Sequence, residues 1–227
     1  MIDRVQWAEK HLQFRFSDPS LLEQALTHRS ASKLNNERLE FLGDALLNSS
    51  IARRLYDQRP DDAEGDLSRA WAALVNKSVL AAIGKQLEVD TQIVLGAGES
   101  RSGGAQRSSA LADTVEALIG AVFLDGGSTA ADRLIELLFA DRLRALPEAE
   151  LLKDAKTKLQ EWLQGRGFGL PRYAVETIHG RDHNQTFTVS CRVDDCDRST
   201  QGAGSSRRRA EQDAAAAMLT VLTRELG

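Results

Sequence analysis

Cysteine is nearly absent from this chain of 227 residues, which has two, Cys191 and Cys196. Two thiols cannot build a disulfide framework, and neither stands with a histidine at the spacing of a zinc site. A reduced, cytoplasmic setting with both cysteines as packing residues is expected. The N-terminal stretch, MIDRVQWAEK, lacks the apolar core of a secretory leader, so none is expected there. Uninterrupted apolar runs are missing too. The most apolar long segment is broken by Asp113 and Glu116, which argues against a membrane span. There is no excess of positive charge: 29 Lys+Arg against 33 Asp+Glu leave a net charge of −4, which speaks weakly against a nucleic-acid partner. That total hides an asymmetry. Residues 1–150 hold 17 basic and 23 acidic residues, a balance of −6, and residues 151–227 hold 12 and 10, a balance of +2. An acidic part can hold metal, and a mildly basic part can touch a polyanion.

What is present centres on Asn36 to Leu46, NERLEFLGDAL. As a helix it places Glu37, Glu40 and Asp44 at offsets of three, four and seven, on one face. Leu39, Leu42 and Leu46 form a neighbouring apolar line. Like charges four residues apart destabilise a helix by about 0.2–0.5 kcal/mol per pair, a cost that a divalent cation against the stripe removes. Acidic stripes usually mark a solvated face, so this segment alone decides nothing. A second segment, ALADTVEALIGAVFL from Ala110 to Leu124, is apolar on nearly all sides, yet it carries Asp113 and Glu116 three apart. A buried carboxylate costs several kcal/mol unless it is paired, protonated or bound to metal. No Lys or Arg lies between Arg107 and Arg133 to pair with them locally. Acids from the two helices, if they face each other, make an all-oxygen site suited to Mg²⁺.

Around these segments the first 146 residues read as helical throughout. Helices are expected over about 3–13, from Pro19 to about Thr27, from Asn36 to about Asp57 (stopped by Pro60), from Leu67 to about Asn76 with Asp66 as N-cap, and over about 77–87. VLGAGESRSGG reads as a flexible Gly-rich loop, and its lone G-x-G is weak evidence for a nucleotide loop. After the buried helix, DGG reads as a stop before an amphipathic helix over about 129–143. His28 reads as a structural histidine, and Glu64 as a loop acid. Residues 147–153 read as a linker. The rest has the order α-β-β-β-α. A short helix over 155–164 turns Ala155, Leu159, Trp162 and Leu163 inward. Two alternating strands follow, at Tyr173–Thr177 and Thr186–Val193, separated by a turn over 180–184, then a weaker third over about 197–202. The last helix, from about Ser206, buries Ala210, Ala214, Ala217, Met218 and Val221. Arg207, Arg208 and Arg209 sit in its first turn, against the helix dipole, which favours anions at that end by about 0.3–1 kcal/mol. An external phosphate reverses that penalty.

NERLEFLGDAL (36–46) and ADTVEALIGAVFLDGG (112–127) resemble the two signature segments of bacterial ribonuclease III. DAKTKLQEWLQ (154–164) and GAGSSRRRAEQDAA (202–215) resemble that family's double-stranded RNA-binding domain. The resemblance covers nearly the whole chain. It implies an all-helical endonuclease domain over 1–146, a linker over 147–153 and a small α-β-β-β-α double-stranded RNA-binding domain over 154–227. It implies an endoribonuclease that hydrolyses phosphodiester bonds in double-stranded RNA, leaving 5′-phosphate and 3′-hydroxyl ends, with roles in ribosomal, transfer and messenger RNA processing. On matching positions, Glu40, Asp113 and Glu116 are the metal ligands, and Asp44 and Glu116 the catalytic carboxylates. Glu37 and Glu64 are assisting acids. Phe41 packs into the partner subunit of a homodimer. Thr157, Gln160, Glu161 and His183 meet the RNA minor groove, and Arg207 and Arg208 meet phosphates. Mg²⁺ is the implied cofactor, with Mn²⁺ as a substitute, and neither a membrane nor a small-molecule cofactor is involved. The departures are small: Arg replaces the common Lys of the 207–208 pair, and Ala72 stands where some relatives carry a hydroxyl. Two other functions stay open. One is a duplex-RNA regulator whose core no longer cuts, and the other is a metal-dependent phosphohydrolase of small nucleotides.

Overall fold

A computed structural model describes residues 4–101, 103–181 and 185–226. It falls into two units, the first ending at Leu152 and the second beginning at Lys153. The first consists of α1 (Arg4–Leu12), α2 (Pro19–Ala25), α3 (Glu37–Gln58), α4 (Glu64–Leu74), α5 (Lys77–Gln86), α6 (Ala97–Arg101), α7 (Ser108–Arg144) and α8 (Ala149–Leu152).

Local chemistry sets most of these bounds. Asp18 caps α2 by accepting from the Ser20 amide at 2.9 Å, with Pro19 at the first position. The helix ends at Ala25 rather than Thr27, because Thr27 leaves it to form a single parallel bridge with Val94. Asn76 caps α5 by accepting from the Val79 amide at 3.1 Å. The helix expected from Leu67 starts three residues earlier, at Glu64, after the N-cap Ala63. Asp66 is not its cap but lies in its first turn, paired with Arg69 at 2.7 Å. Both Glu64 and Asp66 suit the positive end of the helix dipole.

The Gly-rich stretch is more ordered than a flexible loop. It contains α6 and a 3-10 turn over Gly104–Gln106, tied down by Arg107 on Glu99 at 2.7 Å and by the Gly96 amide on Ser30 Oγ at 3.0 Å. The DGG segment interrupts the helix as expected: Gly127 (φ 76°, ψ −175°) is non-helical, and α7 is two helices joined across a kink there. The segment read as a linker is partly docked. The Arg59 guanidinium donates to the carbonyls of Leu146 and Pro147 at 3.3 and 2.8 Å, and half-buried Leu152 packs on the core of the first unit.

The core of the first unit is wrapped around α7, of which Leu111, Val115, Leu118, Ile119 and Val122 are buried. α3 crosses it with no side chain between the backbones. A Cβ added to Gly43 would lie 1.8 Å from the Glu116 carbonyl oxygen, and one added to Gly120 would lie 2.3 Å from that of Leu39. This glycine contact is what brings the acidic face of α3 against Asp113 and Glu116.

The second unit comprises α9 (Ala155–Gln164), β1 (Arg172–His179), β2 (Thr186–Val193), β3 (Arg198–Gly204) and α10 (Arg207–Leu226). The strands form one antiparallel sheet in the order β1-β2-β3, with Tyr173 opposite Cys191 and Val189 opposite Gly202. Val189, Cys191 and Val193 are buried, as the alternation of β2 requires. Leu159 and Leu163 of α9 meet Ala214, Ala215, Met218 and Leu222 of α10 in this core. The buried stripe of α10 thus takes Ala215 and Leu222, whereas Ala217 and Val221 are half-buried. Both stripes have helical spacing, and packing against α9 as well as the sheet selects between them. Among the described residues no helix is long and apolar enough to cross a membrane.

Candidate active site and nucleic-acid interface

The crossing of α3 and α7 opens an acidic cleft of about 770 Å³ lined by Glu37, Glu40, Phe41, Asp44, Asp113 and Glu116. Glu40, Asp113 and Glu116 are half-buried, and each offers a carboxylate oxygen within 4.8 Å of the other two. Asp44, one turn beyond Glu40, is exposed on the same wall, and its Oδ1 accepts from Asn48 Nδ2 at 3.0 Å. It stands outside the close trio. Among the described residues none of these four acids has an ion pair within 4.0 Å.

Unpaired acids at this range hold protons strongly. Burial, then the charges of Asp44, Glu40 and Asp113, push the Glu116 carboxyl up to about 7. Burial, then Asp113, raises Glu40, and burial raises Asp113. A bound divalent cation satisfies such a trio, and its all-oxygen donor set fits Mg²⁺ or Mn²⁺.

Other acids of the expected set stand apart from the trio. Glu37 lines the cleft but is held by Arg29 at 3.5 Å. Glu64 does not line it: at the start of α4 it accepts from Ser68 Oγ at 2.7 Å and lines an apolar groove with Tyr56, Leu67 and Trp71. Within one chain it therefore shares no ion with the trio. Phe41 is 80% exposed at the mouth of the cleft and borders a second groove with Leu39, Leu42 and Leu124.

His28, read from sequence as structural, also lines the cleft, with Nδ1 2.8 Å from Ser30 Oγ. Lys77 and Arg107, from α5 and the start of α7, were not anticipated there. The signal for Lys77 was present: a lysine at the first helical position opposes the dipole, as Arg207–Arg209 do.

In the second unit the starts of α9 and α10 lie together. The Lys156 amide donates to Gln212 Oε1 at 3.1 Å, and its ammonium pairs with Glu211 at 2.7 Å. Gln160, Glu161, Arg207 and Arg208 are exposed, and Thr157 is half-buried at the cap formed by Asp154. Glu161 is held by Lys153 at 2.6 Å and Arg207 by Glu211 at 2.8 Å, leaving Arg208 and Arg209 the less constrained cations of that turn. His183 lies outside the described residues.

A family model described as Ribonuclease-III-like matches residues 18–143, more than half of the chain and all of the cleft-forming helices. The chain belongs to the ribonuclease III family. A double-stranded RNA binding motif matches residues 155–222, the second unit. Ribonuclease 3 of Alkalilimnicola ehrlichii is 53% identical over 211 residues, spanning 93% of this chain and 92% of that protein. Ribonuclease 3 of Nitrosococcus oceani is 49% identical over 227 residues, 99% and 97% of the two chains. Among solved structures, a nuclease domain of ribonuclease III from Campylobacter jejuni is 42% identical, with a TM-score of 0.57. It covers 60% of this chain and 99% of its own. An endoribonuclease acting on double-stranded RNA is the activity these matches carry together.

Proposed function

We propose that this ribonuclease III family chain cuts duplex RNA as a Mg²⁺-dependent homodimer in the cytoplasm, with Glu40, Asp113 and Glu116 as metal ligands. The observation that carries the reading is their convergence, each with a carboxylate oxygen within 4.8 Å of the other two. Residues 1–146 are read as the endonuclease domain and 154–227 as the RNA-binding domain, with 147–153 between them. Held by Glu40, Asp113 and Glu116, a Mg²⁺ or Mn²⁺ would supply Lewis acidity for activating water and would offset charge on the scissile phosphate. The chain's own residues do the rest. Asp44, oriented by Asn48, presents a carboxylate beside the trio that can hold the attacking water and accept its proton. Glu116, whose carboxyl burial and its acidic neighbours raise to about 7, would release its proton in holding a cation. Glu37 and Glu64 assist at the RNA backbone.

Phe41 supports the dimer. A phenylalanine exposed by 80% beside a groove of Leu39, Leu42 and Leu124 is buried if a second copy covers it. The Campylobacter jejuni nuclease domain is described as having a region involved in dimer formation. Two sites related by a two-fold axis cut both strands of one duplex. The second domain recognises A-form RNA by shape: Thr157, Gln160, Glu161 and His183 meet the minor groove, and Arg207 and Arg208 the phosphates between grooves. Maturation of ribosomal, transfer and messenger RNA is the corresponding role.

Cleavage of a labelled RNA duplex with and without Mg²⁺ tests this reading against the other two. Products with 5′-phosphate and 3′-hydroxyl ends, formed only with the metal, support it. Binding without cutting would mark a regulator, and turnover of mononucleotides with the duplex left intact would mark a small-molecule phosphohydrolase.

A further inference from the structure

Lys77 is a cleft residue to which the proposed reaction gives no part. It is exposed in the first turn of α5, an element that packs on α7, and it lines the cleft beside Glu40, Asp113 and Glu116. Other cations there are engaged: Arg29 is on Glu37 at 3.5 Å and Arg107 on Glu99 at 2.7 Å. Among the described residues Lys77 makes no ion pair within 4.0 Å, so its ammonium stands near the trio without closing on any member. It nonetheless shares one cleft with Glu40, Asp113 and Glu116, so its charge acts on all three carboxylates. A fixed positive charge in that cleft opposes a divalent cation on the same oxygens, and with twice the energy it would exert on a single charge. The amino end of α5, where Lys77 stands, adds a partial positive charge of its own.

We propose that Lys77 sets the affinity of the acidic centre for its divalent cation. Its ammonium holds the RNA-free protein below the affinity that three carboxylates would otherwise reach. A duplex phosphate that pairs with Lys77 lifts that restraint, so that metal and RNA load together by linkage. The inference rests on the metal centre proposed above. Toward the metal Lys77 acts only through the trio, and toward RNA it meets the phosphate itself.

The test is a charge series in the full chain. Mn²⁺ binding to RNA-free protein is followed by the electron paramagnetic resonance of the free ion for Lys77→Arg, Lys77→Met and Lys77→Glu. Circular dichroism confirms folding, which an exposed first-turn position tolerates. Arg should stay within about twofold of the parent, Met should bind roughly tenfold tighter, and Glu tighter again. In cleavage assays with duplex RNA, where the restraint is already lifted, the Mg²⁺ concentration for half-maximal rate should shift less than about threefold in Lys77→Met, while KM for RNA rises. Equal tightening with and without RNA would overturn the coupling. Affinity that stays flat from Arg to Met to Glu, while Glu116→Gln still weakens binding, would overturn the inference and leave the metal centre standing. Mn²⁺ binding indifferent to Glu116→Gln would overturn the centre, and this inference with it. Should Lys77→Met not fold, the Arg and Glu variants still differ by two charges and decide the sign.

Discussion

Replacing Gly43 by alanine tests the feature on which the acidic centre depends. The substitution adds one methyl group to the interior of α3. In an isolated helix it stabilises by about 1 kcal/mol, since alanine is the better helix former. Here the new Cβ would stand 1.8 Å from the Glu116 carbonyl oxygen, where contacts under 3.0 Å essentially never occur. The neighbour is backbone of a buried helix, so no rotamer change relieves the clash. α3 and α7 must part by at least about 1.2 Å. Overpacking of this kind costs about 1–3 kcal/mol, and a contact this short belongs at the upper end, so the clash outweighs the propensity gain by roughly 2 kcal/mol. At about 2–4 °C per kcal/mol for a chain of this size, Tm should fall by roughly 4–8 °C.

The functional loss should be larger. Mg²⁺ bonds of about 2.0–2.1 Å let two ligating oxygens stand at most about 4.2 Å apart, so parting the helices that carry the trio by about 1.2 Å takes ligands out of reach of one ion. Mn²⁺ affinity should drop at least about tenfold and cleavage about a hundredfold or more. Thermal melts, Mn²⁺ titration and a duplex cleavage assay read these quantities. Gly98→Ala, whose added Cβ meets nothing within 4 Å, is the control. Gly120→Ala should behave like Gly43→Ala, and the double variant should be less than additive because both press on one contact. A Gly43→Ala protein with unaltered melting and metal affinity would refute the backbone contact as the device that assembles the centre.

Other outcomes follow from the same geometry. Glu116→Gln removes a charge and little volume, so cleavage should fall by about a thousandfold or more while duplex RNA binding in a gel-shift assay stays within about threefold. The pH dependence has a definite sign. The folded Glu116 carboxyl is raised from 4.5 to about 7, so its contribution to stability is complete below pH 4.5 and is lost as pH rises through about 7. Metal-free protein should therefore melt lower at pH 8 than at pH 5, and Glu116→Gln should raise its Tm by roughly 2–4 °C at pH 8 and little at pH 5. Phe41→Ala should weaken self-association by roughly 10- to 100-fold in sedimentation experiments, the worth of burying one large apolar side chain. Paired alanines at Arg207 and Arg208 should reduce the slope of log affinity against log salt by about 1–2, with no change in sequence preference.

Periodicity by itself determined the helical first part, the α-β-β-β-α second part and the acidic faces of two helices. These are local properties: side-chain spacing along one element decides which face is apolar. Local reasoning went astray where a distant partner took over. Thr27 left its helix for Val94, and Gly96 and Glu99 drew the Gly-rich stretch into order through Ser30 and Arg107. Asp66 gave up a capping role for Arg69, and Leu146 and Pro147 were claimed by Arg59.

The centre divides along the same line. That Glu40, Asp44, Asp113 and Glu116 carry the chemistry could be argued from residues on two apolar helices and from their match to a family pattern. Only the tertiary structure decided that three of them come within 4.8 Å, that Asp44 stands beside rather than among them, and that Glu64 lies in another groove. The physical reason is the crossing at Gly43 and Gly120. How closely two helices approach is set by the absence of two side chains whose codes stand 77 positions apart in the chain. Lys77 joined the cleft for a similar reason, through the packing of α5 on α7, which no spacing along its own helix reveals.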